Sequence, residues 1–256
     1  MRVIAVANQK GGVGKTTTNI NLSACLAQAG RRVLTIDCDP QGNTSSGLGV
    51  DKNSLSATVY NVLLGEVSLD SVIQKTPVEN LFVAPANINL AGAEIELINE
   101  GGREFLLKKI IEKQRDKYDF ILMDCPPSLN LLTINALCAA DSVLVPIQCE
   151  YYALEGLSQL IHTVGLVQKS LNPALKIEGI VFTMYDARTN LSMQVVEEVK
   201  NNIGKEVYRA IIPRNVRLSE APSHGLPITL YDEKSKGADS YRILAEAVLS
   251  GTTIER

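Results

Sequence analysis

Histidine is scarce in this sequence, and its cysteines are not spaced for a metal site. The two histidines, His162 and His224, lack the neighbouring residues of a catalytic triad, so we expect ordinary surface or packing positions for both. The five cysteines are odd in number and contain no Cys-x-x-Cys pair. This pattern predicts reduced thiols in a cytosolic protein and argues against a disulfide framework or a zinc site.

Long apolar runs and a strong excess of one charge are also missing. No stretch approaches the roughly 20 apolar residues that span a bilayer, and the first residues lead directly into a strand instead of forming a secretory signal. The net charge of −3 gives no global indication of nucleic-acid binding. With 256 residues, 45% of them hydrophobic, the chain fits one cytoplasmic α/β domain over 1–256.

Short apolar segments alternate along the chain with stretches of helical periodicity. We expect strands at 3–7, 33–36, 81–84, 120–123, 142–147, 177–183 and 207–212, and a short edge strand at 227–231. Helices are expected at 19–29, near 59–64, at 90–117 with a break at 101–102, in a segment ending at 138, and at 153–170, 190–202 and 238–249. This alternation predicts a doubly wound α/β fold, in which a mainly parallel sheet carries helices on both faces.

Between the first strand and the first helix lies a glycine-rich stretch, Asn8-Gln9-Lys10-Gly11-Gly12-Val13-Gly14-Lys15-Thr16-Thr17. Strand, glycine-rich turn and helix form the context of a phosphate-binding loop, whose backbone N–H groups and helix dipole face an anion. Lys15 can reach β- and γ-phosphate oxygens, and the Thr16 hydroxyl can bind Mg²⁺. We therefore predict that a nucleotide contacts Lys10, Gly11, Gly12, Val13, Gly14, Lys15, Thr16 and Thr17.

The loop departs from the general P-loop pattern at Gln9, where a glycine is usual, and it contains a second lysine, Lys10. This is the deviant form, Lys-Gly-Gly-x-Gly-Lys-Thr. Two cations beside a glycine-rich turn suit a highly charged polyphosphate, which predicts a catalytic role for both Lys10 and Lys15. The alternatives are a solvated surface lysine at position 10 and a glycine-rich turn without a ligand.

Carboxylates follow two of the apolar strands, at the edge where a doubly wound sheet places its ligands. Asp124 ends the most apolar strand, as a Walker-B aspartate does, and is predicted to hold Mg²⁺ through water. Asp37 and Asp39 end the second strand on the same side of an extended segment. Asp39 is the candidate for orienting the attacking water, and Asp37 for supporting the metal shell. The alternative for each is an aspartate that caps a turn or a helix.

These motifs resemble those of the ParA/Soj family of chromosome- and plasmid-partition ATPases. Besides the loop, the resemblance rests on Asp37-x-Asp39-Pro40-Gln41-Gly42-Asn43, on Asp124-Cys125-Pro126-Pro127-Ser128, and on segments 148–156, 183–191 and 212–225. The loop is shared with a wider superfamily, whereas the last three segments are specific to Soj-like members. The resemblance covers nearly the whole chain.

The resemblance implies an ATPase that uses Mg²⁺ and dimerises around two ATP molecules, with Lys10 of each chain reaching phosphates held by the other. It implies adenine contacts from Pro213 and Asn215. It also implies a ParB-type partner that accelerates a slow hydrolysis, and attachment to the nucleoid in the ATP state, without a membrane.

Dimers of this family bind duplex DNA without sequence preference, and the resemblance points to Arg188 and Arg217 as DNA contacts. Charge counting finds one basic concentration that could support this role, formed by Lys200, Lys205, Arg209, Arg214 and Arg217 with the single acid Glu206. The alternative is an ordinary solvated face.

A membrane-associated ATPase, like the division-site regulators of the same superfamily, is one competing function. Those proteins carry a basic amphipathic tail, whereas only 251–256 follow the last expected helix here, which is too short and too weakly basic to anchor. That helix has an apolar stripe that we expect to pack on the sheet, made of Tyr241, Leu244, Ala245, Val248 and Leu249.

Two further functions share the phosphate loop. An electron-transfer reductase like the nitrogenase iron protein needs cysteines that bridge a cluster, for which Cys125 and Cys138 are the nearest pair. A metabolic ligase or small-molecule kinase needs an acceptor-binding motif, and none is obvious in the sequence.

Overall fold

The computed structural model describes residues 1–150, 153–203 and 207–251. Apolar, β-branched segments form the strands of its sheet. The strands are β1 (Arg2–Val6), β2 (Val33–Asp37), β3 (Gln74–Lys75), β4 (Leu81–Ala84), β5 (Phe120–Asp124), β6 (Ser142–Gln148), β7 (Lys176–Tyr185) and β8 (Val207–Pro213).

Helices connect these strands, and several of them are only one turn long. The helices are α1 (Lys15–Gln28), α2 (Asn43–Gly47), α3 (Val59–Leu63), α4 (Leu69–Val72), α5 (Ala93–Glu96), α6 (Leu106–Glu112), α7 (Leu131–Ala139), α8 (Ala153–Ser170), α9 (Asn190–Ile203), α10 (Val216–Glu220), α11 (Ile228–Tyr231) and α12 (Lys236–Ser250). Short 3₁₀ turns cover Ile88–Gly92, Arg103–Phe105 and Ala221–His224.

Within the described residues the strands form one sheet in the order β3-β4-β2-β5-β1-β6-β7-β8. All neighbouring strands are parallel except β3 and β4, which are antiparallel. The carboxyl ends of the parallel strands therefore lie at one edge of the sheet, which we call the carboxyl edge. The predicted doubly wound, mainly parallel α/β fold is confirmed.

Both faces of the sheet are covered by helices. Val3 and Ala5 of β1 pack in a core with α3, α6, α7 and α8, whereas Ile4 and Val6 pack in a second core with α1 and α12. Successive residues of a strand point to opposite faces, so a strand buried on both sides must be apolar throughout. This arrangement explains why the strands appear in the sequence as uninterrupted apolar runs.

The apolar stripe of α12 belongs to the second core. Tyr241, Leu244, Ala245 and Val248 are buried there, and Leu249 packs against them. The expectation that this stripe packs on the sheet is thus confirmed. Across the described chain no helix combines the length and the hydropathy needed to traverse a bilayer. Residues 252–256, the rest of the short tail discussed above, lie outside the described residues.

The prediction of an edge strand at 227–231 is wrong, because this segment forms α11. Pro227 precedes the helix, and the backbone N–H of Ile228 donates to the Asn21 side chain at 2.7 Å. Ile228 itself is fully buried in the core beside α1 and α12. Tertiary contacts therefore override the strand propensity of this β-branched and aromatic segment.

The predicted helix over 90–117 is replaced by shorter pieces. The break expected near Gly101 and Gly102 is present, and Gly102 has a φ of 71°, in the left-handed region. One part of the segment contains the 3₁₀ turn that ends at Gly92 and the four-residue helix α5, and the other contains α6. The sequence also gave no indication of β3, α2, α4 or α10.

Candidate functional site

The glycine-rich loop lies at the carboxyl edge, between β1 and α1. Gly12 and Gly14 have φ values of 76° and 86°, a conformation that side chains with a Cβ rarely adopt. Gly14 is the N-cap of α1, and no side chain caps the first turn. The backbone N–H groups of this turn thus lack a side-chain acceptor, as expected where a helix binds an anion.

The two lysines of the loop occupy different places. Lys15 is buried, and its Nζ donates to the carbonyl oxygen of Lys10 at 3.0 Å. Burial lowers the pKa of Lys15, while the charge of Asp124 acts in the opposite direction. The Nζ of Lys10 instead forms an ion pair with Glu150 at 2.9 Å, beyond the end of β6. Lys15 therefore lies inside the loop, whereas the Lys10 side chain extends away from it.

Buried side-chain hydrogen bonds hold the loop against its neighbouring strands. Asn8 donates to the carbonyl oxygen of Pro146 at 2.8 Å and accepts from the backbone N–H of Lys10 at 3.0 Å. Thr183, near the end of β7, donates to the carbonyl oxygen of Val13 at 2.8 Å. Neither anchor was predictable from the sequence, because each joins segments that are far apart along the chain.

Asp124 lies at the centre of the site. In the parallel register it is paired with Val6 on one side and with Asp37 on the other. Its Oδ2 accepts from the Thr44 hydroxyl at 2.8 Å, whereas its buried Oδ1 has no hydrogen-bond partner among the described residues. Burial raises the pKa of Asp124 and the charge of Asp37 raises it further, while the nearby Thr16 hydroxyl and the hydrogen bond from Thr44 lower it.

These groups fit a magnesium ion. The unpartnered carboxylate oxygen of Asp124 and the hydroxyl of Thr16 are hard oxygen ligands, the type that Mg²⁺ prefers. The part of the chain that the structure describes contains no cluster of three His, Cys, Asp or Glu side chains able to hold a metal by themselves. A magnesium ion here would complete its coordination with water and phosphate oxygens, as it commonly does in nucleotide sites.

Asp37 is engaged by the segment that follows it. Its Oδ2 accepts from the backbone N–H and the hydroxyl of Ser45, at 2.9 and 2.6 Å, and its Oδ1 accepts from the backbone N–H of Asp39 at 3.2 Å. Burial raises the pKa of Asp37, and the hydrogen bonds from Ser45 oppose this. In this structure Asp37 fixes α2 at the end of β2. Its predicted role in the metal shell stays a prediction.

Asp39 belongs to a tight turn just before α2. Its Oδ1 accepts from the backbone N–H of Gln41 at 2.9 Å, and its carbonyl oxygen accepts from the N–H of Gly42 at 2.9 Å. The side chain is near enough to Lys15 for its charge to raise the pKa of the lysine. Asp39 thus lies beside the loop, and its predicted action on water stays a prediction.

A cavity of about 260 Å³ adjoins the loop on the side of β7 and β8. Gly14, Thr17, Met184, Pro213 and Asn215 line it, so the two predicted adenine contacts lie in one cavity with the loop. Asn215 also caps α10 by accepting from the N–H of Arg217 at 2.8 Å. Met184 has a φ of 51°, and such strain in a bulky residue is typical of functional sites.

The two arginines that the resemblance assigns to DNA are exposed but already paired with acids. The guanidinium of Arg188, whose side chain is 86% exposed, forms two hydrogen bonds with Asp186 and holds the pKa of that carboxyl well below its usual range. Arg217 forms an ion pair with Glu220 at 2.9 Å. Lys205 and Glu206, which entered the charge count, lie outside the described residues.

The cysteines are placed as expected for reduced thiols. Cys125 and Cys138, the pair that an iron–sulfur reductase would need, are both fully buried. Burial raises the pKa of both thiols, which disfavours the thiolate form that ligates a cluster.

A glycine-rich loop with two lysines, the helix that follows it and a buried aspartate at the end of the neighbouring strand together define a P-loop nucleotide-binding protein of the deviant Walker type. In agreement with this class, residues 1–177 match a family model described as an AAA domain. The Soj protein of Bacillus subtilis (strain 168), a sporulation initiation inhibitor, is 60% identical over 96% of this chain and 98% of its own. The chromosome partitioning protein ParA of Myxococcus xanthus (strain DK1622) is 55% identical over 98% of this chain and 89% of its own. The chain belongs to the ParA/Soj family of chromosome-partitioning ATPases.

Solved structures share the fold over nearly the whole chain. A Mycobacterium smegmatis protein described as cobyrinic acid a,c-diamide synthase, with a bound ATP analogue and magnesium, is 43% identical with a TM-score of 0.86, over 97% of this chain and 94% of that chain. The cell division ATPase MinD of Pyrococcus furiosus is 31% identical with a TM-score of 0.81, over 97% of this chain and 98% of that chain.

Proposed function

We propose that this chain hydrolyses ATP with Mg²⁺ and uses ATP-dependent dimerisation to bind duplex DNA without sequence preference. A ParB-type partner stimulates hydrolysis and thereby releases the dimer from DNA. The protein would then be cytoplasmic, and attached to the nucleoid in its ATP state. The similarity to chromosome-partitioning relatives over nearly the whole chain supports this proposal.

The observation that carries the proposal is the different placement of the two lysines. Lys15 is buried within its own loop and can neutralise the phosphates that this loop binds. Lys10 points away from the loop and pairs with Glu150 at the surface. A lysine in this position can reach phosphates held by a second chain, where it would act like a cation supplied in trans.

Exposed apolar side chains at the carboxyl edge favour an interface there. Leu129 follows β5 with 42% exposure, and Val216 follows β8 with 70% exposure. A second chain that covered these two side chains would remove their apolar surface from water. We therefore place the dimer interface on the loops that follow β5 and β8, facing the nucleotide.

In the proposed reaction, water attacks the γ-phosphorus of ATP, the bond to the bridging oxygen breaks, and ADP and phosphate leave. Asp39 orients the water, while Lys15 and the partner's Lys10 neutralise charge on the phosphate oxygens. Thr16 and Asp124 would hold Mg²⁺, which supplies charge neutralisation when it is bound with ATP. Among the residues that the structure describes around the site, none is an evident strong base, so we expect slow turnover without the partner.

The test is the size of an Asp39→Ala protein in solution, measured by light scattering with ATP and with ADP. We expect dimers with ATP, monomers with ADP, strong DNA binding by the ATP form with little by the ADP form, and no turnover. Asp51→Ala is a matched control, because Asp51 is an exposed aspartate that caps a turn through the N–H of Asn53. ATP-loaded Asp39→Ala protein that stays monomeric would contradict the proposal, and surviving turnover would contradict the role of Asp39.

Two of the similar solved structures suggest other functions. The similarity to MinD suggests the function of a membrane-associated ATPase, which co-sedimentation with anionic liposomes in the presence of ATP would reveal. The likeness to a cobyrinic acid a,c-diamide synthase raises a metabolic ligase, whose ATP turnover would respond to a small acceptor and not to DNA. We favour chromosome partition because the relatives named for that function are more similar to this chain, at 53–55% identity.

A further inference from the structure

A chain of buried hydrogen bonds connects α1 to the end of β5 through α2. The Nδ2 of Asn19, on the second turn of α1, donates to the hydroxyls of Thr35 at 2.6 Å and Thr44 at 3.2 Å. The Thr44 hydroxyl is in turn 2.8 Å from Oδ2 of Asp124. All four side chains are fully buried, with no measurable exposure. Buried polar chains of this kind restrict each member to one orientation.

With Asp124 ionised, as a carboxylate that binds a metal must be, the donors and acceptors of this chain have one consistent assignment. A carboxylate accepts and cannot donate, so the single proton of the Thr44 hydroxyl points to Asp124. The Thr44 oxygen can then accept a hydrogen bond from Asn19. The amide nitrogen of Asn19, and not its oxygen, must therefore face Thr44. One carboxylate oxygen of Asp124 is thereby occupied. The other, Oδ1, is left without a hydrogen-bond partner among the described residues, beside Thr16.

The next residue repeats this arrangement on the neighbouring strand. Ser45 donates from its backbone and its hydroxyl to Asp37, which lies opposite Asp124 in the sheet register. Two adjacent residues of α2 therefore hold the carboxylates at the ends of two adjacent strands. The turn that contains Asp39 leads directly into α2, so its position is tied to both carboxylates.

We propose that Thr44 is a positioning residue for the magnesium site: it holds the Asp124 carboxylate with Oδ1 directed at the ion and couples that carboxylate to the turn of Asp39. This inference rests on the proposed binding of a magnesium nucleotide. A partner that orients a metal ligand typically changes metal affinity by about 10–100-fold when it is removed. The loop, by contrast, would contact the phosphates through backbone groups and Lys15, and Thr44 forms no hydrogen bond with either in the described structure.

Replacing Thr44 by valine keeps the shape of the side chain and removes the donor. We would titrate MgCl₂ into protein with a fluorescent ADP analogue and follow the nucleotide signal, and repeat nucleotide binding in EDTA. We expect Thr44→Val to raise the Mg²⁺ concentration at half-saturation at least about tenfold, with unchanged nucleotide affinity in EDTA. Thr44→Ser, which keeps the hydroxyl, should restore the Mg²⁺ requirement of the unaltered protein.

Thr35→Val is the matched control. Thr35 is an equally buried threonine that accepts from the same Asn19 nitrogen but does not contact Asp124. We expect its Mg²⁺ requirement to equal that of the unaltered protein, even if both valine variants melt at a lower temperature. Equal Mg²⁺ requirements in Thr44→Val and Thr35→Val would overturn the inference.

A replacement variant and a control on the unaltered protein distinguish failure of this inference from failure of the proposed function. If Thr44→Val does not fold, Thr44→Ala replaces it, because alanine also removes the hydroxyl donor and adds no bulk. An unchanged Mg²⁺ requirement in that variant would also overturn the inference. If the unaltered protein binds the ADP analogue equally with Mg²⁺ and with EDTA, the proposed magnesium site itself is wrong.

Discussion

The lysine that we propose acts in trans, Lys10, forms an ion pair with Glu150 of its own chain. Both side chains are partly exposed, at 32% and 46%. Pairs of this kind contribute only about 0.2–1 kcal/mol, because water competes for both charges. The lysine is therefore held in place weakly enough that a triphosphate of a second chain can compete for it.

Replacing Glu150 by glutamine should make dimerisation easier. The substitution keeps the side-chain shape and removes the charge that retains Lys10, and each of the two chains loses one pair. We expect the protein concentration for half-dimerisation with ATP to fall by about two- to thirtyfold, the equivalent of two exposed ion pairs. The measurement is light scattering over a dilution series, in the Asp39→Ala background to prevent turnover.

Glu155→Gln controls for the loss of one negative charge near the same place. Glu155 lies with Lys10 around a shallow surface depression, yet it forms no ion pair with Lys10 in the described structure. Its variant should dimerise as the unaltered protein does. If Glu150→Gln dimerises only at a higher protein or ATP concentration than the unaltered protein, Glu150 supports the dimer and the prediction is wrong.

Asp186→Asn should strengthen DNA binding in the ATP state. Asp186 occupies the guanidinium of Arg188 with two hydrogen bonds, and a DNA phosphate has to displace it. Freeing one exposed arginine in each chain of the dimer should raise the affinity about two- to thirtyfold, the scale of two exposed ion pairs. Fluorescence anisotropy with a labelled random duplex measures this. Arg188→Ala should have the opposite effect and leave ATP hydrolysis intact.

Glu112→Gln is the matched control for Asp186→Asn. Glu112 forms a similar exposed two-bond pair with Arg115, on α6. If Arg188 contacts DNA as the resemblance implies, removing Glu112 should change binding little. Equal gains from both substitutions would show that only the total charge matters, and the assignment of Arg188 would be abandoned.

At the scale of elements, β7 and β8 approach each other closely at a glycine. A Cβ added to Gly179 would lie 2.3 Å from the ring of Tyr208, which is buried in the core. The ring is also fixed by its hydroxyl, which donates to Glu178 at 3.0 Å. The sheet therefore has no room for a larger residue at this position.

We expect Gly179→Ala to lower the free energy of unfolding by about 1–3 kcal/mol, the usual cost of overpacking. Gly165 is the control: it lies on α8 with no atom within 4 Å of an added Cβ. Gly165→Ala should instead stabilise the protein by about 0.5–1 kcal/mol, because glycine is unfavourable within a helix. Thermal denaturation of both variants measures the difference, and equal melting temperatures would show that the sheet relaxes around the new methyl group.

The elements also show why some features could be predicted and others could not. The phosphate loop is recognisable because its glycines, Lys15 and Thr16 stand within a few consecutive residues. α2 was not recognisable in this way. Its Thr44 and Ser45 form hydrogen bonds with Asp124 and Asp37, and only the fold brings these residues together. The ion pair of Lys10 joins residues 140 positions apart, and no local pattern reports a contact over that separation.

At the scale of the whole molecule, the layered fold was predictable because the same unit, an apolar strand followed by a helix, recurs along the chain. Strands buried on both faces must be apolar, and the helices between them must carry one apolar face. The segment at 227–231 does not follow this pattern, because it packs as the short helix α11 against α1, α10 and α12. Short segments follow the packing around them more than their own composition.

The dependence of DNA binding on salt should report the number of chains that bind. Each neutralised phosphate adds about 0.9 to the slope of log affinity against log salt concentration. A dimer presents two copies of every contact, so the slope with ATP should be about twice the slope with ADP. Anisotropy titrations over a series of KCl concentrations measure both slopes. Equal slopes would mean that one chain carries all the contacts in either state.

Arg2, in the first strand, donates a hydrogen bond to the carbonyl oxygen of Val248, near the end of the last helix. The first and last described elements thus come together at the edge of the sheet opposite the phosphate loop. A fluorescent label attached beside either residue would stand about 13 Å or more from the loop, the length of β1. Tagged molecules could therefore be watched inside living cells without covering the surface on which nucleotide and second chain are expected to meet.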